Sequence, residues 1–189
     1  MSRTYELKRR AEQRDETRQR IVDAAVELHR TLGPAATTIS DIADRAGVGR
    51  VTVYRHFPDE AALLQACSGQ YNAEHPFPDQ EHWQAISDPE QRLKTALSET
   101  YAYFAATEDM LSHAIRDKGD EPVMAPFHEH WQRAAETLSA GWGARGAQRA
   151  KLRAAIALTL SFHTWRTLVR EQGLDPEEAV DVAARLAVS

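Results

Sequence analysis

Cysteine is nearly absent from this chain: Cys67 is the single one among 189 residues. One thiol supports neither an intrachain disulfide nor a structural thiolate zinc site, so a reducing, cytoplasmic setting is expected. No hydrophobic run approaches the ~18 residues of a membrane span, and the basic N-terminus has no apolar stretch behind it, so neither a membrane partner nor a signal peptide is expected. A positive charge excess is missing too. The formal net charge is −5 with pI ≈ 5.9, a balance that argues against a nucleic-acid partner for the chain as a whole. Catalytic signatures are also lacking. There is no Glu-x-x-His pair, Gly-x-Ser-x-Gly elbow, phosphate-binding loop or dinucleotide fingerprint, so we expect no enzyme, cofactor or resident metal.

The charge that is present is unevenly spread. Residues 1–60 carry 11 Lys/Arg against 10 Asp/Glu, and residues 61–189 carry 12 against 18. The first twenty alone hold seven basic and four acidic side chains. Such asymmetry marks a binding end or a solvated helix terminus.

Apolar spacings of three and four recur, and strand-like alternation does not, so the chain is expected to be all-α with about nine helices. The first is expected over residues 15–32, with Ile21, Ala24, Ala25, Leu28 and Leu32 as its apolar stripe and Gly33-Pro34 as its stop. Thr38, with Asp41 three positions on, opens a second helix that ends near Ala46. A third covers about residues 50–57 and a fourth follows Asp59-Glu60. The Pro-rich stretch His75-Pro76-Phe77-Pro78 reads as a hinge. Beyond it, the pattern predicts a helix from Asp88-Pro89, a short one over residues 110–117 and another through Trp131. A long helix over residues 147–172 and a last one over 176–188 complete the chain.

Residues 38–57 have the physics of a helix-turn-helix. Ala43 is small enough for two steeply crossing helices to touch, and Gly47 permits the corner backbone. Ile42, Ala46, Val48 and Val53 close a shared core. The second helix then presents its N-terminal residues, Gly49, Arg50, Val51 and Thr52, as a major-groove reader does. Arg50 suits a guanine edge or a phosphate, Thr52 either, and Val51 a thymine methyl. Tyr54, Arg55 and His56 suit phosphates, which position rather than specify.

These residues carry a resemblance. Ile21-Val22-Asp23-Ala24-Ala25 with Leu28, Thr37-Thr38, Ile42-Ala43, Ala46-Gly47-Val48, Val53-Tyr54-Arg55-His56-Phe57-Pro58 and Ala62-Leu63-Leu64 resemble the TetR family of bacterial transcriptional regulators. The resemblance implies a helix-turn-helix domain, placed at residues 1–60, and a larger helical ligand-binding and dimerisation domain at 61–189. It also implies a homodimeric repressor that binds a palindromic double-stranded DNA operator and is released by a small-molecule effector. Matched residue by residue, the family's DNA contacts fall on Thr38, Arg50, Thr52, Tyr54 and His56. One departure stands out: where the family usually has a lysine after the Phe-Pro turn, this chain has Glu60. A carboxylate suits a helix N-terminus but repels a phosphate.

Past residue 64 the resemblance thins. Tyr101, Phe104, Met110, His113, Phe127, Trp131 and His163 are candidate lining for a mid-sized, largely apolar effector, or else core rings. Ala155, Leu158, Phe162, Trp165, Leu168 and Val169, with Val180, Ala183, Ala184 and Ala187, are candidates for an isologous dimer surface built from the last two helices. Two other readings compete. His128 and His130, with His75 and His82, leave room for a transition-metal sensor. The acidic Glu60 leaves room for a helical ligand-binding or interaction protein with weakened DNA binding.

Overall fold

The computed structural model describes residues 3–188, and among them every regular element is helical. There are ten α-helices: α1 (Arg3–Thr31), α2 (Ile39–Ala46), α3 (Arg50–His56), α4 (Glu60–Glu74), α5 (Gln80–Gln84), α6 (Pro89–Lys118), α7 (Ala125–Leu138), α8 (Gly146–Thr159), α9 (Phe162–Arg166) and α10 (Pro176–Val188). The chain divides into two compact units, one of residues 1–75 with 109–124 and one of 76–108 with 125–189. The expected division at residue 60 differs from this. The fourth helix stays with the first unit because Leu63 and Cys67 are part of its core, and the break falls at the proline-rich stretch after His75.

In the first unit, Ile21, Val22, Ala24 and Ala25 of α1 meet Ile39, Ile42, Ala43 and Ala46 of α2, with Val53, Phe57, Leu63 and Cys67 closing the cluster. Burial on α1 begins only at Ile21. Residues 5–16 are all exposed, yet the helix starts at Arg3 rather than near Asp15 as the pattern predicts. Straight-chain residues of good helix propensity fill this extension, and the apolar period cannot detect a helix that buries nothing. The end of α6 belongs to this unit. Asp117 accepts the Ala35 N–H at 3.1 Å and pairs with Arg116 at 2.6 Å. Gly33 lies beside them at φ 93°, where a Cβ would come within 2.6 Å of the Asp117 carboxylate.

Two helix boundaries in the second half differ from expectation. The short helix expected at residues 110–117 is the continuation of α6. Thr107 does not cap a new start; it is buried, and its hydroxyl donates to the Tyr103 carbonyl at 2.7 Å, which leaves the helix unbroken. Conversely, the single long helix expected at 147–172 is broken at Leu160-Ser161. The Thr159 carbonyl accepts the Tyr101 hydroxyl at 3.0 Å, the Leu158 carbonyl accepts the Thr164 hydroxyl at 2.6 Å, and Ser161 caps α9 by accepting the Thr164 N–H at 3.1 Å. Side chains have taken over groups that a continuous helix would pair internally. After α9 the chain runs on as one wider, π-type turn over Thr167–Glu171.

The core of the second unit is built on rings and small residues. Trp83, Phe104 and Trp165 are fully enclosed alongside Leu93, Leu97, Leu138, Ile156 and Leu160. Trp83 lies on α5, a five-residue helix that the sequence pattern leaves unassigned between the hinge and the helix expected from Asp88-Pro89; its indole N–H donates to Glu99 at 2.7 Å. The alanine-rich face of α10, Ala179, Ala183, Ala184 and Ala187, is likewise buried, in close packing with α8.

Candidate nucleic-acid interface

The corner between α2 and α3 is fixed by three local devices. Thr38 and Asp41 form a reciprocal capping box: the Thr38 hydroxyl accepts the Asp41 N–H at 3.2 Å and the Asp41 carboxylate accepts the Thr38 N–H at 2.9 Å. Gly47 takes the left-handed conformation, φ 65° and ψ 41°, while the Val48 N–H reaches back to the Ala43 carbonyl at 3.0 Å. Val53, fully buried, then fixes the rotation of α3 about its axis.

That rotation decides what faces water. Gly49, Arg50, Tyr54 and Arg55 are exposed, and Val51 is 83% exposed. Thr52 and His56 are half-buried at the edge of the same face. An 83% exposed valine two positions from a 0% exposed one has no packing role within this chain. No acidic residue occupies the first turn of α3, and Gly49 supplies no side-chain cap. The face therefore offers cations, a hydroxyl and a methyl pair without a competing carboxylate.

Two of the expected contacts sit differently. Thr38 is exposed, but its hydroxyl proton goes to Asp41 at 2.7 Å, and these hydrogen bonds hold the Asp41 carboxyl below the usual carboxylate range. Its position makes it a helix cap first. The His56 ring is lowered from its ordinary pKa, by burial first and then by Arg55, Arg14 and Arg18, with Asp15 opposing; its Nε2 is enclosed without a hydrogen-bond partner. A neutral His56 supports the interface edge rather than supplying a cation.

Arg14 and Arg18 were missed by the sequence reading, and both bear on this edge. The Arg18 guanidinium lies 4.9 Å above the Phe57 ring, locking α1 to the end of α3. The signal was the i, i+4 spacing of Arg10, Arg14 and Arg18, hidden because the first helix was expected to begin at Asp15.

The expected effector residues are divided between the two units. Met110 and His113 lie in the first unit, whereas Tyr101, Phe104, Phe127, Trp131 and His163 lie in the second. Within the second, Phe104 and Trp131 are 5.2 Å apart and Phe127 and Trp131 6.0 Å, but Tyr101 and Phe104 are buried core and His163 is exposed. Phe77, Tyr103 and His130 join this ring cluster, His130 stacking on Phe77 at 4.6 Å. Trp131 keeps an enclosed indole N–H without a partner. A cleft of about 400 Å³ does open in the first unit, lined by His29, Ile39, Ile42, Leu63, Leu64 and Lys118 among others, and none of the expected effector residues lines it.

The expected dimer set is also divided. Phe162, Trp165, Val180, Ala183, Ala184 and Ala187 are already buried within one chain; Ala155, Leu168 and Val169 are half-buried and Leu158 is 65% exposed. Helical spacing identifies an apolar stripe but not which partner covers it. The metal-sensing alternative finds no support in the donors: among the described residues no group of three His, Cys, Asp or Glu side chains is placed to hold an ion, and Gln80 hydrogen-bonds His130.

Residues 21–67 match the family described as bacterial regulatory proteins, tetR family. Over this segment the chain is similar to the TetR family. The chain is 36% identical over 87 residues to a probable HTH-type transcriptional regulator, ArpR, of Pseudomonas putida, covering 46% of this chain and 39% of that protein. It is 42% identical over 82 residues to the HTH-type transcriptional regulator SrpR of the same species, covering 40% of this chain and 38% of that one. The matched segments thus span about two-fifths of these relatives' own length. The fold as a whole resembles that of FadR from Bacillus subtilis, solved with stearoyl-CoA, at a TM-score of 0.60 and 19% identity over 90% of this chain and 97% of that one. All three are named as transcriptional regulators. Among the described residues, no helix is long and apolar enough to cross a membrane.

Proposed function

We propose that this chain is a cytoplasmic, DNA-binding transcriptional regulator of the TetR family that reads an operator through α3. The observation that carries the reading is the outward display of Arg50, Val51, Tyr54 and Arg55 from a helix whose Val53 is locked into the core behind a capped α2 and a left-handed Gly47. Arg50, Val51 and Thr52 read base edges, while Gly49 lets the backbone approach and Tyr54 and Arg55 hold phosphates.

The chain acts as a homodimeric repressor on a palindromic site. Its dimer surface is the outer face of α8 and α10, where Leu158 is 65% exposed and Leu186 59% exposed. A small, largely apolar effector releases it by favouring a conformation that does not fit the operator; each tenfold loss of affinity requires about 1.4 kcal/mol of differential binding. The half-buried Phe127 and Trp131 of the second unit are the remaining candidates to line that effector's site.

Selection of bound duplexes from a random pool tests the reading. The expected result is an enriched palindrome whose half-sites lie one helical turn apart, about 34–36 Å. A pool with no enriched sequence would contradict it.

A further inference from the structure

The reading face of α3 is flanked unequally. On its α4 side stand Asp59, whose carboxylate caps α4 at 2.7 Å from the Ala62 N–H, and the exposed Glu60. On its α1 side stand Arg14 and Arg18, flanking Asp15 and close enough to bias the His56 ring, with Arg18 fixed over Phe57. From there α1 runs on for more than three turns with nothing to bury: residues 5–16 are all exposed. Lys8 is drawn to Glu12 at 3.9 Å, whereas Arg10, Arg14 and Arg18 line one face at helical spacing. Like charges at i, i+4 destabilise an isolated helix by about 0.2–0.5 kcal/mol per pair. Such a stripe is unfavourable in water and becomes favourable beside a polyanion.

We propose that the exposed N-terminal stretch of α1 is a second DNA-contacting element, its Arg10–Arg14–Arg18 stripe holding backbone phosphates next to the bases read by α3. It rests on the DNA-binding reading above and extends it. Residues 5–18 of a helix span about 20 Å, the length of about six base pairs. The stripe grips without reading, because guanidinium groups on a phosphate backbone carry no base information. Arg18, held over the Phe57 ring at the end of α3, gives the arm its register with α3.

The test is a salt titration of the full chain on the duplex recovered by selection, comparing the parent with Arg10→Gln/Arg14→Gln and with the equal charge change Arg133→Gln/Arg145→Gln in the second unit. In the first variant, the plot of log affinity against log salt is expected to flatten by about 0.9 for each arginine removed, with at least a tenfold weaker Kd at low salt and an unchanged selected sequence. The control pair should move neither. Arg10 and Arg14 are exposed, so an unchanged thermal melt accompanies the expected result. An unchanged slope and affinity, or an equal loss in the control pair, overturns the arm while leaving α3 as the reader. A parent that selects no DNA overturns both.

Discussion

The α2–α3 segment and the ring-rich interior of the second unit have similar residue types arranged to opposite ends. In α3, Val51 stands in solvent while Val53, two positions on, is buried; the helix is held by one side and displays the other. In the second unit, Phe104, Phe162 and Trp165 pack on one another at 5.3–6.0 Å and display nothing. Apolar residues in a helix of unknown partner mean either interface or core, and only the packing of the neighbouring helices separates the two. The contrast is most open to challenge where one side chain is removed from each region.

The largest effect is expected at Trp165. Trp165→Ala should cost about 3–5 kcal/mol in chemical denaturation, as for other enclosed tryptophans. Val51→Ala should leave the denaturation midpoint unchanged and lower only DNA affinity. A cost below about 1 kcal/mol at Trp165 would mean that this ring lines open space and that the second unit is less filled than its burial states.

Lowering the pH should come next. His29 is buried in the first unit, where desolvation and then Lys118 lower its pKa to about 4. The unfolded chain binds that proton near 6.5, so between 6.5 and 4 the unfolded state holds more protons and stability falls with pH, levelling off below about 4. The loss is on the order of 3 kcal/mol across that window. Denaturation midpoints at pH 7 and pH 4.5 check it, and His29→Gln should remove this share of the step while leaving that of His130, which burial likewise lowers to about 4.

Gly47→Ala tests the corner. A Cβ there meets only the Arg20 guanidinium at 4.0 Å, so space is not limiting, and the whole cost is the left-handed backbone, about 1–2 kcal/mol. Thr38→Ala should cost about 1 kcal/mol through the lost cap. If Thr38→Ala weakened DNA binding far more than this stability loss explains, its hydroxyl would belong to the interface as well as to the cap.

Much of the first unit is legible in the residues themselves, because local chemistry determines it. The Thr38–Asp41 box, the Gly47 corner and the Asp59 cap each act within five residues. The first two were readable as written, and so was the exposed face of α3 once Val53 was taken as core. The misreadings share a cause. The start of α1 has no apolar period, so nothing in the pattern marks it. The break after Thr159 depends on the hydroxyl of Tyr101, 58 residues earlier, accepted by a carbonyl that the sequence does not single out. The effector and dimer sets drew on helical stripes whose covering partners are distant in sequence, and the structure assigns six of the ten dimer positions to the interior of one chain.

The proposed function depends on α3 being the reader. The most direct measurement is to repeat the duplex selection with Arg50→Ala, Thr52→Ala and Tyr54→Phe. Arg50→Ala and Thr52→Ala are expected to relax the preference at particular positions of each half-site, by about 1–3 kcal/mol per lost base contact, whereas Tyr54→Phe should weaken binding evenly without changing the recovered sequence. If all three variants recovered the parent sequence with the parent affinity, α3 would not be the element that reads DNA.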